Sequence, residues 1–480
     1  MTNANVLPTP DKWPHLLLPA PRGASSSGEP EATGEAGVTR GAGASSEVAS
    51  NEGVAAPPAA PTDLNAALDA GAFKGLTEAI RDMTAGEIVA ALAGSGLRGR
   101  GGAGFPTSEK WRACALAQAD RRYIVVNAYQ ADPAVFTDRV LLERNPYAVL
   151  EGAAIAAVAV GASDIVIGLR AEATEAIATL ETAIREAEDA GYLGDDVLGS
   201  GRDLHVEVKP LQGAYMLGEE TVLLKGIEGR RGQPEQQPPY PTTKGLYGKP
   251  TLVHNAQTFA VVPGIITGGP GSYLESGAKG GHGTVLVQVS GSVANPGLAE
   301  VPLGTTIGEI VALAGGVSAT HSVKALLVGG PSGGILPPDA MNTPYEFEAL
   351  EAAGAYMGSG SIVVIDERSC LVDLASVLTR FCADQACGKT IPCRIGLRRL
   401  AEIGARICEG QPRGDEIERL TDLSADIVAS RLCDHERRST LPLLSLVRYF
   451  RDELDAHVVQ STCPAGICQS LAASPAGSVS

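Results

Sequence analysis

The sequence predicts an α/β domain with a parallel sheet, then a small β-grasp module, then a C-terminal helical bundle. Three observations carry this reading. Between residues 84 and 169, helical periods alternate with short β-branched runs, the pattern of a parallel sheet covered by helices. From residue 284 the order becomes strand, turn, strand, helix, strand within about fifty residues. From Leu371 the helical period returns and persists to about Val458.

The elements follow in order. Residues 1–62 are rich in Gly, Ala, Ser, Pro and Glu, and are expected to form a disordered low-complexity tail. Within them, Trp13-Pro-His-Leu-Leu-Leu reads as a solvated apolar patch rather than a docking element. Order should begin near Thr62-Asp63, a helix cap, and an α/β domain should fill residues 63–280. Thr84 with Glu87 fits a capping box, opening a helix to about Ala93 with Ile88, Val89 and Leu92 on one face. Tyr123-Ile-Val-Val reads as a buried strand, residues 146–160 as a helix and residues 164–169 as a second strand. The β-grasp module should span 281–360, with strands at Thr284-Val-Leu-Val-Gln-Val-Ser, 298–301 and Ala325-Leu-Leu-Val, and a capped helix over 305–314. Residues 361–460 form the expected helical domain and 461–480 a tail.

Composition narrows the function. The 480 residues carry 55 acidic and 38 basic side chains, a net charge of −17. Nucleic-acid binding needs Lys and Arg to displace counterions, so a nucleic-acid partner is not expected. No apolar run reaches the roughly 18 residues of a membrane helix, and no secretory signal is evident. Direct membrane insertion is therefore not expected, and the location reads as cytoplasmic, or peripheral to a membrane complex. Of nine cysteines, seven follow residue 369. In a large cytoplasmic chain such clustering points to metal or redox chemistry rather than disulfides.

A glycine loop adds to this: Gly96-Leu-Arg-Gly-Arg-Gly-Gly-Ala-Gly-Phe-Pro. Gly99, Gly101 and Gly104 satisfy G-x-G-x-x-G, but a dinucleotide fingerprint should follow a strand, and here a helix precedes. Closely spaced glycines still let backbone N–H groups approach a phosphate or planar ring. Arg98, Arg100 and Lys110 add positive charge. A flexible connector is the alternative.

With Thr107 and Lys110-Trp111, this loop resembles the FMN loop of the NADH-binding flavoprotein subunit family of respiratory complex I. That family includes the diaphorase subunits of NAD-linked hydrogenases and formate dehydrogenases. Further motifs follow in the family's order: Gly213-Ala-Tyr-Met-Leu-Gly-Glu-Glu-Thr, Glu228-Gly-Arg-Arg, Pro238-Pro-Tyr-Pro, Gly248-Lys-Pro-Thr-Leu-Val-His-Asn, Gly329-Gly-Pro-Ser-Gly-Gly and Gly358-Ser-Gly. The resemblance covers about residues 63–470. It implies a Rossmann-like FMN/NADH domain, a ubiquitin-like SLBB domain of β-grasp type and a helical iron–sulfur domain. It implies FMN held by Gly99, Arg100, Gly101, Gly102, Gly104 and Lys110, with Asn127, Gly218, Asn255 and Thr258 completing the site. Phe105 and Tyr240 would flank the adenine of NAD(H), and Glu219 and Glu220 would line the nucleotide pocket, disfavouring a 2′-phosphate. Asp132, Tyr215 and His254 fall at further cofactor-binding positions.

Three departures from the family pattern matter. Where the family usually has Asn-Ala-Asp-Glu-x-Glu-Pro, this chain has Asn127-Ala-Tyr-Gln-Ala-Asp-Pro. Tyr129 and Gln130 replace an acidic pair and Asp132 shortens a third acid, which should raise the flavin potential; Tyr129 could also stack on a ring or block the nucleotide. Second, the family's cluster motif places four cysteines around a [4Fe–4S] cluster. Here Cys387, Cys393 and Cys433 match, but Thr390 stands at the fourth position. A three-iron cluster, a four-iron cluster with a hydroxide, Thr390 or Cys382 at the open corner, or no cluster are the outcomes. Third, Cys463-Pro-Ala-Gly-Ile-Cys468 resembles the start of a ferredoxin-like domain found in longer relatives, and reads as a vestigial tail rather than a metal site.

The resemblance implies an NADH dehydrogenase, or diaphorase, subunit that passes hydride from NADH to FMN and single electrons through the cluster. A thioredoxin-like [2Fe–2S] subunit and a larger redox complex of the complex I, hydrogenase or formate dehydrogenase type would be its partners. The same chemistry run in reverse would reduce NAD. The alternative is a degenerate, non-catalytic paralogue acting as scaffold or electron relay, motivated by Tyr129, Gln130 and Thr390.

Overall fold

The computed structural model describes residues 5–18, 63–317, 321–430 and 432–472. The first unit is a sheet of β1 (Tyr123–Ala128), β2 (Asp164–Arg170), β3 (His205–Leu211) and β4 (Thr251–Asn255). All pairings are parallel, in the order β3-β2-β1-β4. Ile124, Val125, Val126, Ile165 and Ile167 are buried, because helices cover both faces of such a sheet and leave no polar side. The chain steps outward from β1 through β2 to β3, then returns to the other side of β1 with β4. Strand order therefore reverses between β1 and β4. Such a reversal opens a crevice beyond the carboxyl ends of the strands. Asn127 and Asn255 are register partners at that spot.

The helices fit as the sequence suggests. The capping box of Thr84 and Glu87 is formed, and Ile88, Val89 and Leu92 of helix Ala85–Ser95 are buried. Pro146–Val160 is a helix buried along almost its whole length. It crosses Ala256–Ala260 so closely that a Cβ on Gly152 would lie 1.9 Å from the carbonyl oxygen of Phe259. Only a residue without a side chain permits that crossing.

The second unit is a five-stranded sheet of β5 (Thr284–Gly291), β6 (Gly297–Pro302), β7 (Val323–Val328), β8 (Gly334–Leu336) and β9 (Ser361–Asp366), in the order β6-β5-β9-β7-β8. The parallel β5–β9 pair sits between antiparallel pairs, and helix Ile307–Leu313 packs across it, a β-grasp arrangement. The boundary expected after residue 360 falls later. Ser361–Asp366 is the central strand, so the module runs through Asp366. The helical domain then begins with Leu371–Gln385 and continues through Leu397–Cys408, Glu416–Ser430, Leu441–Tyr449 and Arg451–Val458. Leu371, Leu397, Leu400, Leu420, Leu443 and Leu446 form its core.

The N-terminal segment departs from expectation where it is described. Residues 5–18 do not form a solvated tail: they run along β6 of the β-grasp module, and Leu17 and Leu18 join the α/β core; residues 19–62 lie outside the described residues. Leu7 N–H donates to Leu298 O at 2.7 Å, and Leu298 N–H to Asn5 O at 2.8 Å. Leu7, Leu17 and Leu18 are buried. One carboxylate fixes the far end: Glu300 accepts the backbone N–H groups of Leu16, Leu17 and Leu18 at 2.7, 2.9 and 2.9 Å, and the hydroxyl of Thr284 at 2.6 Å. Sequence pattern undervalues Leu16-Leu-Leu because the partner carboxylate lies some 280 positions away.

The variant Glu300→Ala strips these donors of their acceptor, at about 1–3 kcal/mol for each buried group left unpaired. The expected outcome is release of the strap with both sheets intact. Hydrogen–deuterium exchange should find the amides of Leu16, Leu17 and Leu18 protected in the native chain and fast in the variant. Retained protection would contradict the role given to Glu300.

Candidate functional site

The glycine loop connects helix Ala85–Ser95 to helix Thr107–Leu116, so it follows a helix, as expected. Its base is pinched by Gly99 N–H on Phe105 O and Thr107 N–H on Leu97 O, each 2.9 Å. Its middle is tied to the helix after β4, where Arg100 N–H donates to Thr258 Oγ1 at 2.9 Å. This seats the loop over the β1/β4 crevice. The four glycines divide by role. Gly102 has φ +100°, and a Cβ there would lie 2.9 Å from the Gly358 carbonyl oxygen; a Cβ on Gly104 would lie 2.6 Å from the Phe347 ring. Those two serve packing against the β-grasp module. A Cβ on Gly99 or Gly101 would meet protein no closer than 3.6 or 3.7 Å. The protein does not itself need the room at these two positions. A phosphate or flat ring lying on the backbone does, so the loop fits the FMN that the resemblance implies.

Arg100 does not offer its side chain to that site. Its guanidinium is buried and donates to Thr284 O, His282 O, Arg98 O and the Tyr273 hydroxyl. Only its backbone stays with the loop. Arg98 likewise turns aside, pairing with Glu348 at 2.7 Å and lying 4.2 Å over the Phe347 ring.

Beneath the loop, the two strand-end asparagines are locked. Asn127 Nδ2 donates to Gly218 O at 2.9 Å. Asn255 Nδ2 donates to Asp138 Oδ2 at 2.6 Å, and its Oδ1 caps the next helix by accepting Gln257 N–H at 2.9 Å. Gln257 Nε2 completes the ring on Asp138 Oδ1 at 2.9 Å. Asp138 and Gln257 are not among the sequence candidates. Asp138 is buried, and burial raises its carboxyl to about 6 against the two amides that favour its charge. The Phe-Thr-Asp-Arg run after Asp132 is the signal that could have found it.

The remaining candidates spread around the crevice. Lys110 Nζ pairs with Glu220 Oε2 at 2.7 Å. Glu219 is occupied as an N-cap, accepting Val222 N–H at 2.9 Å and the Thr221 hydroxyl at 2.6 Å. Burial, and then Lys110, depress the His254 imidazole well below its ordinary value, and its Nε2 is buried without a hydrogen-bond partner. Asp132 Oδ2 is similarly unpartnered, while Oδ1 accepts Ala134 N–H at 3.0 Å. Phe105 and Tyr240 are the open aromatics, 47% and 56% exposed. Tyr215 lies inside the molecule, 3.3 Å from Ser332 Oγ and edge-on to Phe381.

Tyr129 neither stacks on an open ring nor stands in the crevice. It is 1% exposed, packed among Leu211, Met216 and Leu217, with the Arg170 guanidinium 5.1 Å over its ring. Gln130 holds φ +47° and bonds Thr137 Oγ1 at 2.7 Å. The lost acidic pair has thus become core packing and a turn.

Burial raises the Cys393 thiol to about 12, and Glu436, Cys433, Cys387 and Cys382 oppose its ionisation further. Burial also raises Cys433 to about 12. A positively charged iron core is what reconciles three thiolates in one pocket. Thr390 donates its hydroxyl to the buried Glu436, which also accepts Ser430 Oγ at 2.6 Å and Leu432 N–H at 2.7 Å. Cys382 is turned to the Pro331 carbonyl at 3.7 Å. The donor set fits an iron–sulfur cluster with three thiolate corners and one corner without.

Residues 92–264 match the Nuo51 FMN-binding domain, residues 286–336 the SLBB domain, and residues 373–457 the NADH-ubiquinone oxidoreductase-F iron-sulfur binding region. The chain is 40% identical over 400 residues to the NADP-reducing hydrogenase subunit HndC of Solidesulfovibrio fructosivorans, covering 83% of this chain and 81% of that one. It is 38% identical to an NADH-quinone oxidoreductase subunit of Rhizobium meliloti, over 82% of this chain and 94% of that one. Among solved structures, the NAD+-reducing [NiFe]-hydrogenase in its H2-reduced state superposes with a TM-score of 0.73 at 34% identity, over 81% of this chain; the match spans 65% of that chain. Matched along four fifths of its length, with the FMN, SLBB and iron–sulfur regions in order, the chain belongs to the family of FMN- and iron–sulfur-binding subunits of NADH-quinone oxidoreductases and their hydrogenase counterparts.

Proposed function

We propose that this chain is an NADH dehydrogenase (diaphorase) subunit of a larger redox complex, taking hydride from NADH at a bound FMN and releasing electrons one at a time. The observation that carries this is the placement of residues 215–220. Gly218 O accepts from Asn127 in the crevice, while Tyr215 donates its N–H to Gln385 Oε1 at 3.0 Å and packs its ring against His435, each two residues from a cluster cysteine. One short segment touches both the loop site and the cluster site, the contiguity that a two-electron-to-one-electron relay requires.

When bound, FMN supplies the hydride acceptor and the cluster a one-electron acceptor. The chain's own residues do the positioning. Gly99 and Gly101 give backbone access, and Lys110, paired with Glu220, places a cation at the rim. Asn127 and Asn255 are held rigid by Gly218 and Asp138. Phe105 and Tyr240 offer exposed faces to an adenine. Cys387, Cys393 and Cys433 would hold the cluster, and a thioredoxin-like [2Fe–2S] subunit would receive its electrons. The reverse flow, reducing NAD, uses the same groups. Glu220, the carboxylate of the pair that is not spent on capping, favours NADH over a cofactor with a 2′-phosphate.

The test is direct. Full-length protein reconstituted with FMN should be yellow-brown, bleach on adding NADH and reduce ferricyanide, with NADPH at least tenfold slower. Protein that keeps no flavin and shows no NADH-dependent reduction would overturn the proposal. The cluster can be tested separately. Oxidised protein should give a three-iron EPR signal. Thr390→Cys, which supplies a fourth thiolate, should abolish it and raise iron content by one atom per chain, giving a four-iron signal after reduction. Unchanged iron and EPR would mean that Thr390 is not the open corner.

A further inference from the structure

The tail pair that reads as vestigial in sequence is not isolated in space. Cys463 and Cys468 meet Cys370 and His457, and the ligand atoms of these four side chains all lie within 4.8 Å of one another. Cys370 Sγ stands 3.3 Å from His457 Nε2 and 3.8 Å from Cys468 Sγ, and Cys468 Sγ stands 3.6 Å from the same nitrogen. Bonds of about 2.3 Å to sulfur and about 2.0 Å to nitrogen give a tetrahedron with edges of about 3.8 Å between sulfurs and about 3.5 Å between sulfur and nitrogen. The observed spacings match those edges. They are too short for the corners of an iron–sulfur cube, and the sulfurs are too far apart for a disulfide, whose bond is about 2.05 Å.

The surroundings prepare the groups for an ion. His457 is fully buried, and its Nδ1 lies 2.8 Å from Glu453 O. That contact assigns the proton to Nδ1 and turns the Nε2 lone pair toward the sulfurs, the arrangement found behind metal-bound histidines. Gly466 takes φ +66° and its N–H donates to Cys463 O at 2.9 Å, closing the turn between Cys463 and Cys468. Asp373 N–H donates to Cys370 Sγ at 3.4 Å.

We propose that Cys370, His457, Cys463 and Cys468 bind one structural zinc ion, in a site that shares no residue with the cluster. Three sulfurs and one imidazole form a closed tetrahedral donor set, which suits zinc and leaves no coordination position for substrate. On binding, three S–H bonds give way to three Zn–S bonds, three protons pass to solvent and the imidazole enters neutral. The ion would join three segments: the residue capping the first bundle helix just after β9, the end of the last bundle helix, and the tail beyond it.

The experiment uses the full chain, purified without chelator. Elemental analysis should find about one zinc per chain in addition to the cluster iron. Protein grown with cobalt in place of zinc should show the intense visible bands of tetrahedral, thiolate-bound Co(II). Cys463→Ser, at the most exposed ligand, should lower zinc to under one tenth, with iron and flavin unchanged. Cys408→Ser, a neighbouring thiol outside the four, should keep it. Absence of zinc and of the cobalt bands in the native chain, zinc retained in Cys463→Ser, or a Cys370–Cys468 disulfide found by mass spectrometry would each overturn the proposal. The cobalt spectrum of the native protein does not depend on any variant folding.

Discussion

A buried guanidinium holds the flavin region together. Arg100 sits in the middle of the glycine loop, yet its side chain points away from the crevice into the seam between two units. It grips Tyr273 of the α/β domain and the carbonyl of Thr284 at the start of β5. Among the described residues its hydrogen-bond partners are carbonyls and a phenol, with no carboxylate to neutralise the charge. Arginine keeps its proton even when burial opposes it, and its planar fork satisfies several acceptors at once. A lysine would lack both the reach and the geometry. The positive charge left under the loop also suits an anion resting on top of it.

The crevice depends next on Asp138. Two amide side chains, one from each end of a helical turn, are fixed by one buried carboxylate. Through Asn255 the same carboxylate is tied to β4, and through Gln257, which accepts the N–H of Leu286, to β5. A polar group so deeply placed is tolerated because both oxygens are engaged. The loop above and the sheet ends below are therefore set by two charges of opposite sign, neither of them directed at a ligand.

Much of this is legible in the sequence, and the limits have physical causes. β1, β2 and the helix Pro146–Val160 announce themselves as apolar runs, since both faces of each are buried. β3 does not: it is an edge strand with no buried residue before Leu211, and Glu207 faces solvent. β9 runs almost directly into a helix, so sequence pattern places it in the wrong domain. Glycines and charges mark the loop correctly, but composition carries no direction, so the motif assigns Arg100 to the ligand instead of the seam. Tyr129 is visible as a substitution, while its burial depends on Leu211 and Leu217 far along the chain. Cys370 and His457 lie 87 positions apart, beyond any spacing motif.

The strap at the N-terminus bears on how the chain is made. Its contacts with Glu300 span 282 to 284 positions. At a synthesis rate of about 5–20 residues per second, the strap emerges on the order of 15–60 s before its acceptor exists. For that interval the backbone N–H groups of Leu16, Leu17 and Leu18 lack the carboxylate that fixes them, although most of the α/β core that Leu17 and Leu18 join is already made. Anchoring of the strap by Glu300 therefore waits for β6, although the strap precedes that strand by some 280 positions. A segment made early is in this way fixed late.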